Sequence, residues 1–399
     1  MSAFAATATA LASAVATAST GQVMVLSRSQ AVHLALSQGP DLAEAEPSVE
    51  IARAAIGVAG QLPNPTIGFS AGPDEPTIFG TLEQRLPIFG QRGAAIGAAR
   101  AEARTAEAEL EARRLEIRVT VQRGYTALAL AQSELELARQ AASLARDLAD
   151  RARAKVAAGL APQLDAEQAA LQAARAEQES LDRAAALREA QGAMSRTLGV
   201  APDTAVAAAD ALSVPTDTNP TAEVHPAVRA AQLDVDAAAA RVGREKAAVR
   251  PMPVVGIELE RLNPGPDTPA SLGVRGSIGL DLPVLSWNRG AIDREEATGR
   301  SARAHLRAVT ARLDAQRRVA RVRLDAAEAR ARFHGETLVP QARRVADLAR
   351  AAYDLGRAPL VTLLLALTDL NRAQVGAAEA AAQAWDARED LEEVSGALE

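Results

Sequence analysis

From Ile88 to Ala161 the chain holds no proline, and this run constrains the fold more than any other feature. Proline breaks a helix interior because it removes a donor and clashes with the preceding turn. The run is rich in Ala, Glu, Arg, Leu and Gln, which are good helix formers. A helix from about Arg92 to Ala158 would extend roughly 100 Å at about 1.5 Å per residue. Ordinary globular helices run about 8–20 residues, so this length implies a coiled coil or a helical array. Further proline-free runs follow Pro162 and Pro283, and Pro359 is the last proline. The prolines cluster at 40–87, 202–226 and 251–283, so long helices alternate with short extended or irregular parts.

Val121, Leu128 and Leu135 are spaced by seven, and so are Leu130, Leu137 and Leu144. The two series lie two residues apart, about 200° around a helix. One helix thus carries two apolar seams on nearly opposite sides. A two-stranded coiled coil needs only one seam, and a bundle helix more often shows one broad stripe. Opposed seams suit a helix flanked on both sides, as in a wall or closed cylinder. Composition agrees. Apolar residues reach 48% but aromatics only 2%, so large rings cannot fill a thick core.

The second half of the chain repeats the first. Leu86-Pro87-Ile88-Phe89-Gly90-Gln91-Arg92-Gly93-Ala94 is matched by Leu282-Pro283-Val284-Leu285-Ser286-Trp287-Asn288-Arg289-Gly290-Ala291. Gly159-Leu160-Ala161-Pro162 is matched by Gly356-Arg357-Ala358-Pro359. From Arg92/Arg289 to Gly159/Gly356 the offset stays at 197 residues. Pro63-Asn64-Pro65 matches Pro251-Met252-Pro253 at a smaller offset, so the second copy carries an insertion. Two such copies imply a duplicated unit with pseudo-symmetry. Between the Pro-x-Pro and Leu-Pro marks each copy should hold two strands. Val255, Ile257 and Leu259 alternate with Gly256, Glu258 and Glu260, and Leu272 to Leu282 alternate likewise. Strands near ten residues suit a membrane barrel with one lipid face and one polar face. Period two alone is equally compatible with a soluble, half-buried hairpin.

The expected layout follows. Residues 1–25 are signal-like or disordered. Residues 26–198 form the first repeat, with a β-hairpin at 65–88 and a long helical hairpin at 92–198. Residues 199–223 link the copies. Residues 224–399 form the second repeat, with a β-hairpin at 253–285 and a helical hairpin at 289–396. Within the first segment, Ala3 to Ala18 reads either as a signal-peptide core ending at Ala16-Thr17-Ala18 or as low-complexity disorder, since the first arginine is Arg28.

Charge and chemistry exclude several classes. The net charge of −6 offers no basic excess for phosphates, so nucleic acid is not an expected partner. The absence of cysteine excludes disulfides, thiolate metal sites and thiol catalysis. His33, His225, His305 and His334 show no metal-ligand spacing, and no phosphate loop or nucleophile elbow is present. Neither an enzyme nor a cofactor is expected. Each long helix instead ends at a glycine, with a proline three residues on. Glycine supplies a left-handed cap, and proline fits the first turn of the next helix. The matched tips suggest a shared surface at one end of the molecule.

Tandem strand pairs joined to long helical hairpins resemble the TolC-type outer-membrane factors of Gram-negative efflux systems, over about Leu26 to Glu399. Leu62-Pro63-Asn64-Pro65, Leu86 to Gly93 and Leu338-Val339-Pro340-Gln341-Ala342 are most similar to the subgroup serving cobalt–zinc–cadmium-type cation exporters. The resemblance implies a mainly α fold with a membrane β-barrel. A homotrimer would pool four strands per chain into a twelve-stranded barrel in outer-membrane lipid. Twelve helical columns would form a periplasmic tunnel closed at the tips. It further implies a passive exit duct, a periplasmic adaptor and an inner-membrane transporter of RND type. The cargo would be heavy-metal cations or small toxic compounds.

Adaptor contact would fall on Gly159, Leu160, Pro162, Gly356 and Pro359. The gating links would fall on Asp165 and Tyr353. Arg357 stands one position before the family's arginine, where this chain has Ala358. The positions matching the family's aspartate ring are Thr362 and Leu365. Two other readings are an Ala-rich, soluble coiled-coil scaffold and a periplasmic adaptor. The paired Leu-Pro motifs oppose the first, and the presence of two hairpins opposes the second.

Overall fold

The computed structural model describes residues 23–72, 78–201, 204–215, 224–262, 269, 271–283 and 285–396. The signal-like stretch before residue 23, the Pro-Gly-rich turn at 263–268, Val284 and linker residues 216–223 lie outside the described residues. In chain order the elements are β1 (Val23–Leu26), α1 (Arg28–Gln38), α2 (Pro40–Ala59), β2 (Thr66–Ala71) and β3 (Ile78–Arg85). Then come α3 (Gln91–Ala157), α4 (Gln163–Leu198), β4 (Ala205–Ala208), α5 (Pro226–Ala248), β5 (Met252–Leu262) and β6 (Ser271–Asp281). The last are α6 (Arg289–Phe333), a π-helical turn (His334–Leu338), α7 (Val339–Asp354) and α8 (Leu360–Ser395). Two compact units result: Ala45–Ala112 with Pro226–Arg312, and the remainder of the chain.

The first of these carries the sheet. Its order is β2-β3-β5-β6, all antiparallel, so the hairpins of the two repeats join through β3 and β5. The register puts Ile67 opposite Leu82, Leu82 opposite Ile257, and Val255 opposite Ile278. These residues share one face, and all are exposed; Ile278 is 87% exposed. The other face bears Thr81, Glu83, Glu258, Glu260 and Arg275, and Arg275 reaches Glu258 at 3.6 Å and Glu260 at 3.3 Å. One apolar and one charged face is the pattern of a strand between lipid and a polar lumen. No helix among the described residues is long and apolar enough to cross a membrane.

α3 and α6 each start just after a left-handed residue. Gly90 has φ +92° and Asn288 has φ +53°. A side chain at Gly90 would meet the Arg250 guanidinium, which donates to Phe89 O at 2.8 Å. Asn288, of a type that tolerates this region, donates from Nδ2 to the Glu245 carboxylate at 2.8 Å.

In the second unit α3 lies between α4 and α8. Arg183 on α4 donates to buried Glu134 on α3 at 2.7 Å. On the other flank, Arg123 reaches Asp390 at 2.7 Å and Glu393 at 2.6 Å on α8. The seam of Val121, Leu128 and Leu135 is buried, while Leu130, Leu137 and Leu144 are half-buried. β1 pairs in parallel with β4, Val23 opposite Ala205 through Leu26 opposite Ala208. This strand begins inside the segment expected to be signal-like or disordered, and β4 lies inside the expected linker.

Ser27 then starts α1 with a reciprocal cap: it accepts from Gln30 N–H, and its own N–H donates to Gln30 Oε1 at 2.9 Å. The next residue, Arg28, donates to the Glu389 carboxylate and to Thr126 Oγ1 at 2.9 Å. Its guanidinium lies 4.0 Å from the Trp385 ring centre and 5.1 Å from that of Tyr125.

Two breaks depart from continuous helices. Gly39 and Pro40 divide the expected first helix into α1 and α2. The expected third long helix opens into a π turn, where Val339 N–H bonds His334 O five residues back. Pro340 follows immediately and cannot donate to the preceding turn. The His334 ring packs against α8 where that helix has Gly376, and a Cβ there would lie 3.0 Å from His334 Cε1.

Candidate functional site

The tips of the two helical hairpins are built alike. Gly159 and Gly356 have φ of +73° and +72°. Gly159 N–H bonds Val156 O, and Gly356 N–H bonds Tyr353 O. Leu160 N–H bonds Lys155 O, and Arg357 N–H bonds Ala352 O, both at 2.8 Å. These paired bonds run backward across the last helical turn and satisfy its open carbonyls. Pro162 and Pro359 then cap the returning helices in extended conformation, and each accepts a bond from three residues on, Asp165 and Thr362.

The duplicated backbone carries unlike side chains. Lys155, Val156, Leu160 and Asp165 in the first tip correspond to Ala352, Tyr353, Arg357 and Thr362 in the second. Leu160 is 77% exposed, and Leu355 and Arg357 are also exposed. Asp165 is half-buried, and Thr362 and Leu365 are exposed. Beneath the turns, Leu148, Ala152, Ala169, Ala349, Leu360 and Leu363 form one core with the Tyr353 ring. The alanines let α3, α4, α7 and α8 approach closely there.

Tyr353 is the buried aromatic among the expected gate residues. Its hydroxyl has no hydrogen-bond partner among the described residues. Burial pushes that hydroxyl's pKa up, and the negative charges of Asp165 and Asp354 push it the same way. Asp165 therefore acts on Tyr353 through charge, without a hydrogen bond between them. The partner that does reach Tyr353 is Lys155. Its ammonium lies 3.8 Å from the ring centre and donates to Tyr353 O at 3.0 Å. Sequence reasoning missed Lys155 because a single lysine in a charged helix carries no signal of its own. A basic residue in the last turn before the capping glycine was the only available hint.

Among the described residues no cluster of three or more His, Cys, Asp or Glu side chains exists to hold a metal. The architecture defines a mainly α-helical protein with duplicated hairpins and an amphipathic sheet. The outer membrane efflux protein family model matches residues 31–200 and 220–397, and the chain belongs to that family. It is similar to the cobalt-zinc-cadmium resistance protein CzcC of Cupriavidus metallidurans, with 25% identity over 93% of this chain and 90% of that protein. Among solved structures it resembles the outer membrane protein VceC from Vibrio cholerae, with TM-score 0.73, 20% identity, and coverage of 93% of this chain and 96% of that one. A membrane protein from Pseudomonas aeruginosa gives TM-score 0.75 and 19% identity over 94% of this chain and 91% of that one. The chain is thus an outer-membrane channel of the TolC efflux-duct family, largely periplasmic, with a transport role rather than an enzymatic one. The soluble-scaffold and adaptor readings fall with that assignment.

Proposed function

We propose that three copies of this chain assemble into the exit duct of a tripartite efflux pump. The observation that carries this reading is the sheet with one exposed apolar face and one charged face. Such a sheet cannot stand open in lipid, because its edge groups would go unpaired. Three four-stranded sheets joined edge to edge would remove every edge. The helical hairpins would then line a periplasmic tunnel, and the tips would close it around Tyr353, with Asp165 beside it and Arg357 at the turn. A periplasmic adaptor would dock on the glycine turns at Leu160, Pro162 and Pro359, and an RND-type inner-membrane transporter would supply the energy. Opening follows when adaptor contacts favour the open arrangement of the tips over the closed one.

The similarity to a cobalt-zinc-cadmium resistance protein supports divalent heavy-metal cations as cargo. The first test is the mass of the complex extracted in detergent from outer membranes. A trimer near three times 41.4 kDa is expected, and a monomer would overturn the assembly. For the docking role, Gly159→Asp combined with Gly356→Asp should abolish metal export while trimers persist. Normal zinc and cobalt tolerance in cells carrying that double variant would refute it.

A further inference from the structure

Lys155 touches both tip turns. Its carbonyl accepts the Leu160 N–H that closes the first turn, at 2.8 Å. Its ammonium crosses to the second hairpin, where it lies on the Tyr353 ring and donates to Tyr353 O. That carbonyl also accepts Gly356 N–H, the backward bond of the second turn that is shorter in sequence. One residue thus contacts both turns, the first through its main-chain carbonyl and the second through its ammonium.

The chemistry at each end suits a cation. The last turn of α7 presents the negative end of a helix, which favours positive charge. The Tyr353 ring face is electron-rich and attracts an ammonium placed over it. The Tyr353 hydroxyl makes no hydrogen bond among the described residues, so the ring face and the main chain are the parts of Tyr353 in use there. The contact also has a direction. The duplicate of Lys155 is Ala352, and the duplicate of Tyr353 is Val156, so the second repeat offers no return contact of this kind.

We propose that Lys155 is a positioning residue of the gate: it latches the α3–α4 tip to the α7–α8 tip of the same chain and favours the closed arrangement. This rests on the reading of the tips as the gate. In that arrangement the two hairpins move as one body. Separating them requires the ammonium to leave the ring and the carbonyl together.

The test uses full-length trimers in planar bilayers, with trimer yield followed for every variant. Lys155→Met and Tyr353→Leu should each raise the open fraction about fivefold, the lower end of coupling between sites in one protein. The double variant should add nothing beyond either single change, since both remove one contact. Lys155→Arg should restore closure, because a guanidinium also stacks on a ring and donates to a carbonyl. Tyr353→Phe should behave as the unsubstituted chain, since it keeps the ring and the carbonyl. Unchanged gating in Lys155→Met, additive effects in the double variant, or an effect of Tyr353→Phe as large as that of Tyr353→Leu would each overturn the latch.

A separate control tests the underlying reading. The chain has no cysteine, so Arg357→Cys gives one thiol at the tip. A bulky thiol reagent should block current through that variant. Absence of block means the tips are not the constriction, whereas block with unaltered Lys155→Met gating rejects Lys155 alone.

Discussion

Arg28 and Glu389, 361 residues apart in sequence, meet in one ion pair whose carboxylate is 1% exposed. Burial pushes the Glu389 carboxyl up to about 7, against the opposing pull of Arg28 and of the Thr126 hydroxyl, while Asp386 adds to the rise. Its second oxygen, Oε2, has no hydrogen-bond partner among the described residues. The folded state therefore holds this proton more tightly than the unfolded chain, where a glutamate titrates near about 4.3. Stability from this group is full at acid pH and declines as pH rises toward 7, then levels off. The melting temperature of the extracted protein should fall between about pH 5 and about pH 7.5, and Glu389→Gln should flatten that slope. A slope unchanged by Glu389→Gln would assign the titration elsewhere. Where Glu389 is ionised, above about 7, Arg28→Ala should cost about 3–5 kcal/mol because it leaves the buried carboxylate unpaired, and the cost should shrink at acid pH.

The glycine turns give a second expectation. At φ near +70° an alanine pays about 1–2 kcal/mol for its Cβ, yet open space surrounds both Gly159 and Gly356. Gly159→Ala with Gly356→Ala should therefore lower thermal stability through backbone strain, without disturbing the core beneath. Calorimetry checks the loss. Equal stability of the double variant would mean that the turns take another conformation.

On the sheet, charge should be tolerated on one face only. Ile278→Lys places an ammonium on the exposed apolar face, where a lysine near mid-membrane costs about 2–4 kcal/mol. Glu83→Lys changes a residue on the charged face. The amount of folded protein in outer membranes should fall sharply for the first and little for the second. Equal recovery would reject the assignment of faces.

At the π turn, room is scarce. Any side chain at position 376 presses on the His334 ring, whose Nδ1 is buried without a partner among the described residues. Gly376→Val should cost about 1–3 kcal/mol by overpacking. Combining it with His334→Ala should recover part of that loss, as measured by thermal unfolding.

Periodic features were legible in the sequence. The α3 seams, the strand alternation and the constant offset between tips each involve many residues obeying one rule, and the described elements follow them closely. Features that depend on one remote partner were not legible. β4 is only Ala205-Val206-Ala207-Ala208, with no alternation to mark it, and it exists because β1 lies beside it. Pro47 sits inside α2, although a proline cluster signals irregular chain. The close approach of His334 to Gly376 at the π turn joins two remote residues. At the tips, glycine and proline fixed the turns, but the side-chain contact depends on which residue reaches across. Lys155 reaches Tyr353 only because the two hairpins pack together, a fact no local pattern carries.

The parallel pairing of Val23–Leu26 with Ala205–Ala208 sets an order of events during biogenesis. A chain made and exported from its amino end presents β1 long before β4 exists. Contacts this distant in sequence close late and slowly. Until then the backbone edge of β1 stays unpaired, so the newly exported chain has a period in which a holding chaperone would find that strand open.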